Sequence, residues 1–430
     1  MEAKLRAFFL TSATAFLIAF PAHAGQIAPN PNYATIVVSD SEYNSEVPFD
    51  NYGVIALRNS GGLANVLGGS FYNYGTVESG GSLVNSLGGD FNNYADVKNS
   101  GYLENSAAAW KNYGRLDNTG TMRNAQFSMN NYGTLNNSGT MKNADGVLSN
   151  YGVINNSGTE THDMAALENS GTFINTGKLS MGDMYGLDNS GRLNNSGTLM
   201  IGEYSILNNS GALTNTGTLI NTVLQGAGPA GVHNTGNLGN YGTITGGGNY
   251  LQTAGKTVND GNMTQTSVDI TGGTLSGNGR IDGNVNLENG ATLSPGDPAG
   301  TLTVNGNLSS SGTLLFHLGG LDPGRFSVLN IYGNAFFTGG RISFTFLNGF
   351  TPAAGDTWDF LHANSFGWNT LSFELDGLGS GLGWGVSLAG NEATLSITGE
   401  GNVPEPSTLA LLCAGLVILI SGARRRRVLR

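Results

Sequence analysis

Asparagine recurs in this chain at a nearly fixed interval, and that interval restricts the possible folds more than any other feature. Asn-Tyr-Gly begins at Asn51, Asn73, Asn112, Asn131 and Asn150, with Asn93-Tyr94-Ala95 in the same series, so the steps are 22, 20, 19, 19 and 19 residues. Six residues after most of these comes a second Asn, at Asn99, Asn118, Asn137 and Asn156, and a third often follows six later, at Asn105, Asn124 and Asn143. The pattern continues in Asn169 and Asn175, Asn189 and Asn195, Asn209 and Asn215, and Asn234 and Asn240. The unit reads Asn-[Tyr/Ser/Thr]-Gly-x-Φ-x, where Φ is apolar, as in Leu116, Leu135, Ile154, Leu193, Leu213 and Leu238.

A short repeat of this kind cannot bury its own apolar face, so successive units must stack. Each hexad supplies one short strand with Φ inward, and Gly permits a tight corner where φ can be positive. Stacking places like residues above one another at about 4.8 Å, which suits asparagine ladders and a column of Tyr52, Tyr74, Tyr94, Tyr113, Tyr132 and Tyr151. Charged residues make up only 11% of the chain, which argues against helical bundles, and 39% apolar content argues against disorder. The 68 glycines lack a three-residue period, so collagen is excluded. The calcium-binding Gly-Gly-x-Gly-x-Asp nonapeptide is absent. The expected fold is all-β: a parallel β-helix of about 19–20 residues per coil, with a C-terminal β cap or sandwich.

Boundaries follow from composition. Residues 25–50, with Pro29, Pro31 and Pro48, read as an N-terminal lead-in or cap, and 51–311 as the β-helix repeats. From 312 to 400 aromatic residues concentrate, and alternation such as Ile342-Ser343-Phe344-Thr345-Phe346 suggests antiparallel strands in a compact cap that closes the solenoid. The third segment of each coil is expected to be variable and to form a solvated edge.

The two ends carry addresses. Lys4 and Arg6 precede an apolar stretch, Ala7 to Phe20, and Ala22 and Ala24 frame a small-residue cleavage site, so residues 1–24 have the layout of a secretory signal peptide. Residues 401–430 contain Pro404-Glu405-Pro406, an apolar run from Ser407 to Ala423, and Arg424, Arg425, Arg426 and Arg427. Seventeen residues give a marginal helical span of about 25 Å. The Arg cluster is expected to stay cytoplasmic, which places the body across the membrane. This order of parts resembles the PEP-CTERM sorting signal of Gram-negative bacteria. The resemblance implies an exosortase-type membrane protease as partner, transient residence in the inner membrane through the C-terminal helix, and delivery to the cell surface or extracellular matrix. The Asn-Ser-Gly-Thr-Leu runs of the body are also similar to autotransporter passenger domains.

Without residues 1–24 and the tail from 401, 12 basic and 28 acidic residues remain, a net charge of −16. Such a surface does not recruit nucleic acid by charge. The single cysteine, Cys413, lies in the tail, so disulfides cannot staple the body.

Candidate sites are sparse. Asp163, Asp183 and Glu203 recur at a step of 20, as do Glu168 and Asp188 with Asn208 next, so each set would stack in a column able to hold a divalent cation or supply acid and base. The simpler reading is a solvated edge. His162, His233, His317 and His362 share no metal-ligand spacing and are expected at turns or edges. Trp368 and Trp384 would stack on sugar rings if exposed, but are expected in the core of the cap. Thr121, Thr140 and Thr159 align, yet no second threonine column flanks them, which disfavours ice binding. No catalytic residue, cofactor or metal site is assigned. The expected function is a non-enzymatic structural or adhesive protein, exported and associated with exopolysaccharide. The alternative is a solenoid lyase or glycosidase acting on polysaccharide.

Overall fold

The computed structural model describes residues 25–399, apart from 46, 183–184 and 223–230. All regular elements among them are β-strands, almost all paired in parallel, and the fold is a parallel β-solenoid. The chain divides into two compact units, Met1–Glu160 and Thr161–Arg430.

In the first unit a coil has three strands, for example Ser70–Asn73, Thr76–Ser79 and Ser82–Ser86, followed by Asp90–Asn93, Asp96–Asn99 and Tyr102–Ser106. Pairing is in register, with Phe71 beside Phe91, Val77 beside Val97 and Leu83 beside Leu103. Alternation along each strand sends these apolar residues inward, where they are fully buried. The next inward position is asparagine. Asn32, Asn51, Asn73, Asn93, Asn112, Asn131 and Asn150 form one ladder, each Nδ2 donating to the next Oδ1 at 2.7–2.8 Å. Asn99, Asn118, Asn137 and Asn156 form a second, and Asn44, Asn65, Asn85, Asn105, Asn124 and Asn143 a third. The second amide hydrogen is used as well: Asn93 donates to the Arg115 carbonyl and Asn137 to that of Thr159. These side chains are at most 1% exposed, so a broken rung would strand polar groups away from water.

The glycine corners differ from expectation in their cause. Gly75, Gly120, Gly139 and Gly152 do not have positive φ. What they lack room for is a side chain: a Cβ on Gly139 would lie 2.1 Å from the Gly120 carbonyl oxygen, and one on Gly120 would lie 2.3 Å from that of Gly101. Ala95 is the exception in the neighbouring column. Positive φ appears instead at the third corner, where Leu67, Leu87, Ala107, Gln126 and Asp145 have φ of 52, 52, 51, 67 and 56°. Of these residue types only aspartate, at Asp145, favours a left-handed conformation.

One boundary and one segment differ from expectation. The lead-in assigned to 25–50 already contains a coil: Thr35–Val38, Ser41–Ser45 and Pro48–Asn51 pair in parallel with Val54–Leu57, Gly62–Val66 and Ser70–Asn73. Asn32 and Asn44 belong to the ladders, and Pro48 stands at the first residue of its strand, where a missing N–H is tolerated. The third segment of this unit is also a regular strand rather than a variable edge, as Asn65 to Asn143 require.

In the second unit two ladders persist, Asn169–Asn189–Asn209–Asn234 and Asn175–Asn195–Asn215–Asn240–Asn259, all at 2.7–2.8 Å. The third strand ends in apolar Met181 and Ile201, and later in Asn221, which donates to Gln265. Beyond Gln265 the core turns apolar and the strands lengthen. The expected antiparallel cap is present but small. Parallel pairing continues past 312, through Thr313–Leu318, Arg341–Phe346 and Ser372–Asp376, and through Val328–Phe337 and Thr357–Trp368. Among the named strands of the described residues, Leu382–Ala389 and Glu392–Gly399 form an antiparallel hairpin, whose second strand pairs antiparallel with Thr357–Trp368, and an isolated antiparallel bridge joins Leu318 to Phe326. Alternation marks a half-buried strand of either direction, so it could not separate these cases. The aromatic residues fill the last coils, where Phe360 packs edge-on against Phe316 and Phe344 with centroids 4.8 Å apart, and Trp358 Nε1 donates to the Gly320 carbonyl at 2.8 Å.

Adjacent asparagines separate the two roles of the amide. Asn137 is an inward rung, whereas Asn136 points outward and bonds Asp117 and Asn155. Asn137→Ala is expected to cost about 2–4 kcal/mol, because it orphans groups on both neighbouring coils, whereas Asn136→Ala is expected to cost under about 1 kcal/mol. Urea unfolding of the two variants measures the difference. Gly139→Ala is expected to destabilise by about 1–3 kcal/mol through overpacking, read as a lowered Tm.

Candidate functional surface

The sites read from the two ends, Ala22, Ala24, Pro404, Glu405, Pro406 and Arg424 to Arg427, lie outside the described residues. Among the described residues no helix is long and apolar enough to cross a membrane. The apolar run Ser407 to Ala423 lies outside them too.

The first unit carries an exposed aromatic column. Tyr33, Tyr52, Tyr74, Tyr94, Tyr113, Tyr132 and Tyr151 stack with centroids 4.9–5.1 Å apart and ring planes within 12° of parallel. From Tyr52 to Tyr151 each residue is 42–52% exposed. Because each inner ring has a neighbour on both faces, the exposed part is the ring edge and the hydroxyl. A sugar ring packs on an aromatic face, and those faces are taken along the length of the column. Partial desolvation, followed by the neighbouring phenols and acids, raises the Tyr74 and Tyr94 hydroxyls above their ordinary range.

A trough accompanies it. On Gly62–Val66, Ser82–Ser86 and Tyr102–Ser106 the outward residues Ala64, Val84 and Glu104 are only 6–8% exposed. Across the left-handed corner, outward Asn92 and Ser149 are buried as well. Ala64, Val66 and Val84 form a small apolar cluster with Tyr43 packed against it, and burial on both sides of the corner marks a shallow hollow between the strands. Its floor is small: Ser86, Ser106, Ala125 and Ala144 lie in register. Its charges are paired, with Arg123 to Glu104 at 2.5 Å and Lys111 to Asp90 at 3.5 Å.

The acidic columns are partly realised. Glu168 pairs in register with Asp188, and Asp188 with Asn208, whose Nδ2 donates to the Asp188 carboxylate at 2.7 Å. That amide offsets the like-charge stack. Asp163 and Glu203 are exposed, and Asp183 lies outside the described residues. Among the described residues no three His, Cys, Asp or Glu side chains gather as metal ligands. His233 Nε2 lies 3.0 Å from Thr253 Oγ1, and His362 Nδ1 lies 3.8 Å from Glu392. His317 faces Ser294, and burial lowers its pKa. His162 corrects the expectation of a turn or edge, since it is buried on Thr159–Asp163 together with Glu160. Both sit a step of 19 beyond Asn143 and Met141, which the periodicity would have flagged. Trp384 is half-buried and Trp368 is 50% exposed, so neither is a closed core residue. Trp368 follows Phe337 in register, but the hairpin covers only Thr357 to His362 of its strand.

A cysteine-free body of stacked parallel coils defines the class: a β-solenoid, followed in sequence by a separate C-terminal signal. Residues 402–427 match the PEP-CTERM protein-sorting motif. That motif is the recognition signal of exosortase and implies an exported protein. No curated protein matches the chain.

Tyr102 gives the pH dependence a sign. Its hydroxyl donates to Glu104 at 3.0 Å, and burial, with the Glu104 charge and hydrogen bond added, pushes its pKa up to about 12. In the unfolded chain the phenol ionises near pH 10. The stabilisation is therefore complete below about pH 10 and lost as pH rises towards 12. Urea midpoints measured from pH 9 to 12 are expected to fall, and less steeply in Tyr102→Phe.

Proposed function

We propose that this chain is a non-enzymatic structural protein of the bacterial surface or extracellular matrix, processed at its C-terminal signal and associated with exopolysaccharide. The observation that carries the reading is the sorting motif at 402–427 placed directly behind a body of repeated coils. In this reading the signal peptide is cut after Ala24, residues 407–423 hold the protein in the inner membrane, and an exosortase-type protease acts near Pro404-Glu405-Pro406. Polymer contact would come from outward ladders of amides, acids and hydroxyls, such as Asp117–Asn136–Asn155 and the phenol edges of the tyrosine column. Each contact is weak, but repetition along one body raises effective concentration and makes the sum useful.

Intact mass of the protein from the medium, matrix and membrane fractions of its host tests this. The expected species lacks residues 1–24 and the tail beyond about Pro404, and sediments with matrix polymer until that polymer is digested. Retention of Arg424 to Arg430 in a species confined to membranes would overturn release. Indifference of the sedimentation to polymer digestion would overturn the association.

A further inference from the structure

The tyrosine corner exceeds what the fold requires. At Tyr113 the turn is closed by Tyr113 N–H and Gly114 N–H donating to the Asn93 carbonyl at 2.7 and 3.0 Å. The corner at Thr119-Gly120 makes the same two bonds to Asn99, and Ser190-Gly191 makes them to Asn169. Serine and threonine therefore build this turn equally well. In the second unit the residues after the equivalent asparagines are Ser190, Ser210 and Thr235. The seven stacked phenols of the first unit are an addition to the scaffold, and they are held at the surface.

We propose that this column is a site of oxidative cross-linking between copies of the protein, acted on by a one-electron oxidant of the haem peroxidase class working with hydrogen peroxide. Each of two phenols gives up one electron and one proton. The two phenoxyl radicals join through a carbon–carbon bond ortho to the hydroxyls, and the hydrogen on each coupled carbon moves to its oxygen. One peroxide accepts the two electrons and two protons and leaves as two waters, so two tyrosines yield one dityrosine.

Three features of the structure favour this chemistry here. Near-parallel rings about 5 Å apart share the electron hole left by oxidation, which eases its formation and lets it migrate along the column. Coupling needs two ring edges to meet, yet neighbours in the column meet face to face with their edges towards solvent. The bond is therefore directed to another copy. Within the body no thiol competes, since the chain's only cysteine is Cys413 in the tail, and that one is alkylated before the assay. Several phenols per copy allow more than one bond each, so the product is a network rather than a dimer.

The unstacked tyrosines provide an internal control: Tyr185, Tyr204, Tyr241 and Tyr332 are 54–62% exposed, at least as much as the column residues from Tyr52 to Tyr151, and none is in the stack. The full-length protein is treated with a haem peroxidase and limiting hydrogen peroxide, then resolved on a denaturing gel and mapped by mass spectrometry. Covalent multimers are expected, with dityrosine concentrated between Tyr52 and Tyr151. Replacing Tyr52, Tyr74, Tyr94, Tyr113, Tyr132 and Tyr151 with Phe keeps the stack and is expected to abolish most multimers. Ser at the same six positions removes stack and phenol together and is expected to do the same, with unchanged far-ultraviolet circular dichroism confirming the fold. Dityrosine distributed by exposure alone, dityrosine confined within single copies, or no coupling would each overturn the proposal. The assay needs neither export nor polymer, so its failure is distinct from failure of the surface-matrix reading.

Discussion

The inward amide governs this structure. A buried asparagine offers two donors and an acceptor, and leaving any of them without a partner is expensive. Stacked coils answer that requirement in one way: within a ladder each Oδ1 takes a hydrogen from the coil on one side and each Nδ2 gives one to the coil on the other, and the first rung, as at Asn99 beside Ser79, is left with an unpaired Oδ1. The solution works only if every coil presents its asparagine at the same height and angle. Apolar columns such as Leu63–Leu83–Leu103 would tolerate a slip of register with modest loss, whereas a slipped ladder leaves an orphan at each rung. The ladders therefore hold the period near 19–20 residues, and the longer step from Asn209 to Asn234 is absorbed without breaking either ladder.

The other regularities follow from that spacing. Coils one strand apart bring the main chain of successive corners so close that the carbonyl of Gly120 occupies the space a side chain on Gly139 would need. The apolar columns can then vary in kind, as in Phe49, Phe71, Phe91, Trp110 and Met129, because the ladders have already set the register. Where the ladders stop, after Asn259 and Gln265, alignment passes to bulky aromatic contacts and to longer strands with local register shifts, such as that between Thr264 and Ser267.

The parts legible in the sequence were those in which a side chain contacts its own repeat. Asn-Tyr-Gly at steps of 19–22 announced both the ladder and the tyrosine stack, since the repeat in sequence is the contact in space. Features made by the backbone left weaker traces. The left-handed corner at Leu67, Leu87, Ala107, Gln126 and Asp145 uses five positions with no common side-chain chemistry, so only its spacing could have revealed it. The trough depends on the bend between two strands, and a residue such as Val84 reads as outward from alternation although it is buried. Glycine marks the corners in the sequence, but composition cannot distinguish a positive φ from a close approach. The antiparallel cap begins later than alternation around Phe344 suggests, because alternation is blind to strand direction. The sorting motif was legible in full, since a recognition signal is read as linear text.

The two units show what a polar core does for such a fold. In the first, three ladders run inside the coil and the outer corner carries stacked tyrosines. In the second, one ladder position is given over to Met181 and Ile201, and the tyrosines give way to Ser190 and Ser210. Two ladders are therefore sufficient to keep coils in register, and the third is not demanded by stability alone. The corner tyrosines stand in the same position: their turn closes with serine or threonine through the same hydrogen bonds. A scaffold whose register is fixed from within is free to vary outside. Any side chain placed at an outer corner is then copied along the stack at intervals near 5 Å, in a fixed orientation. Surface chemistry on such a body is inherently multivalent.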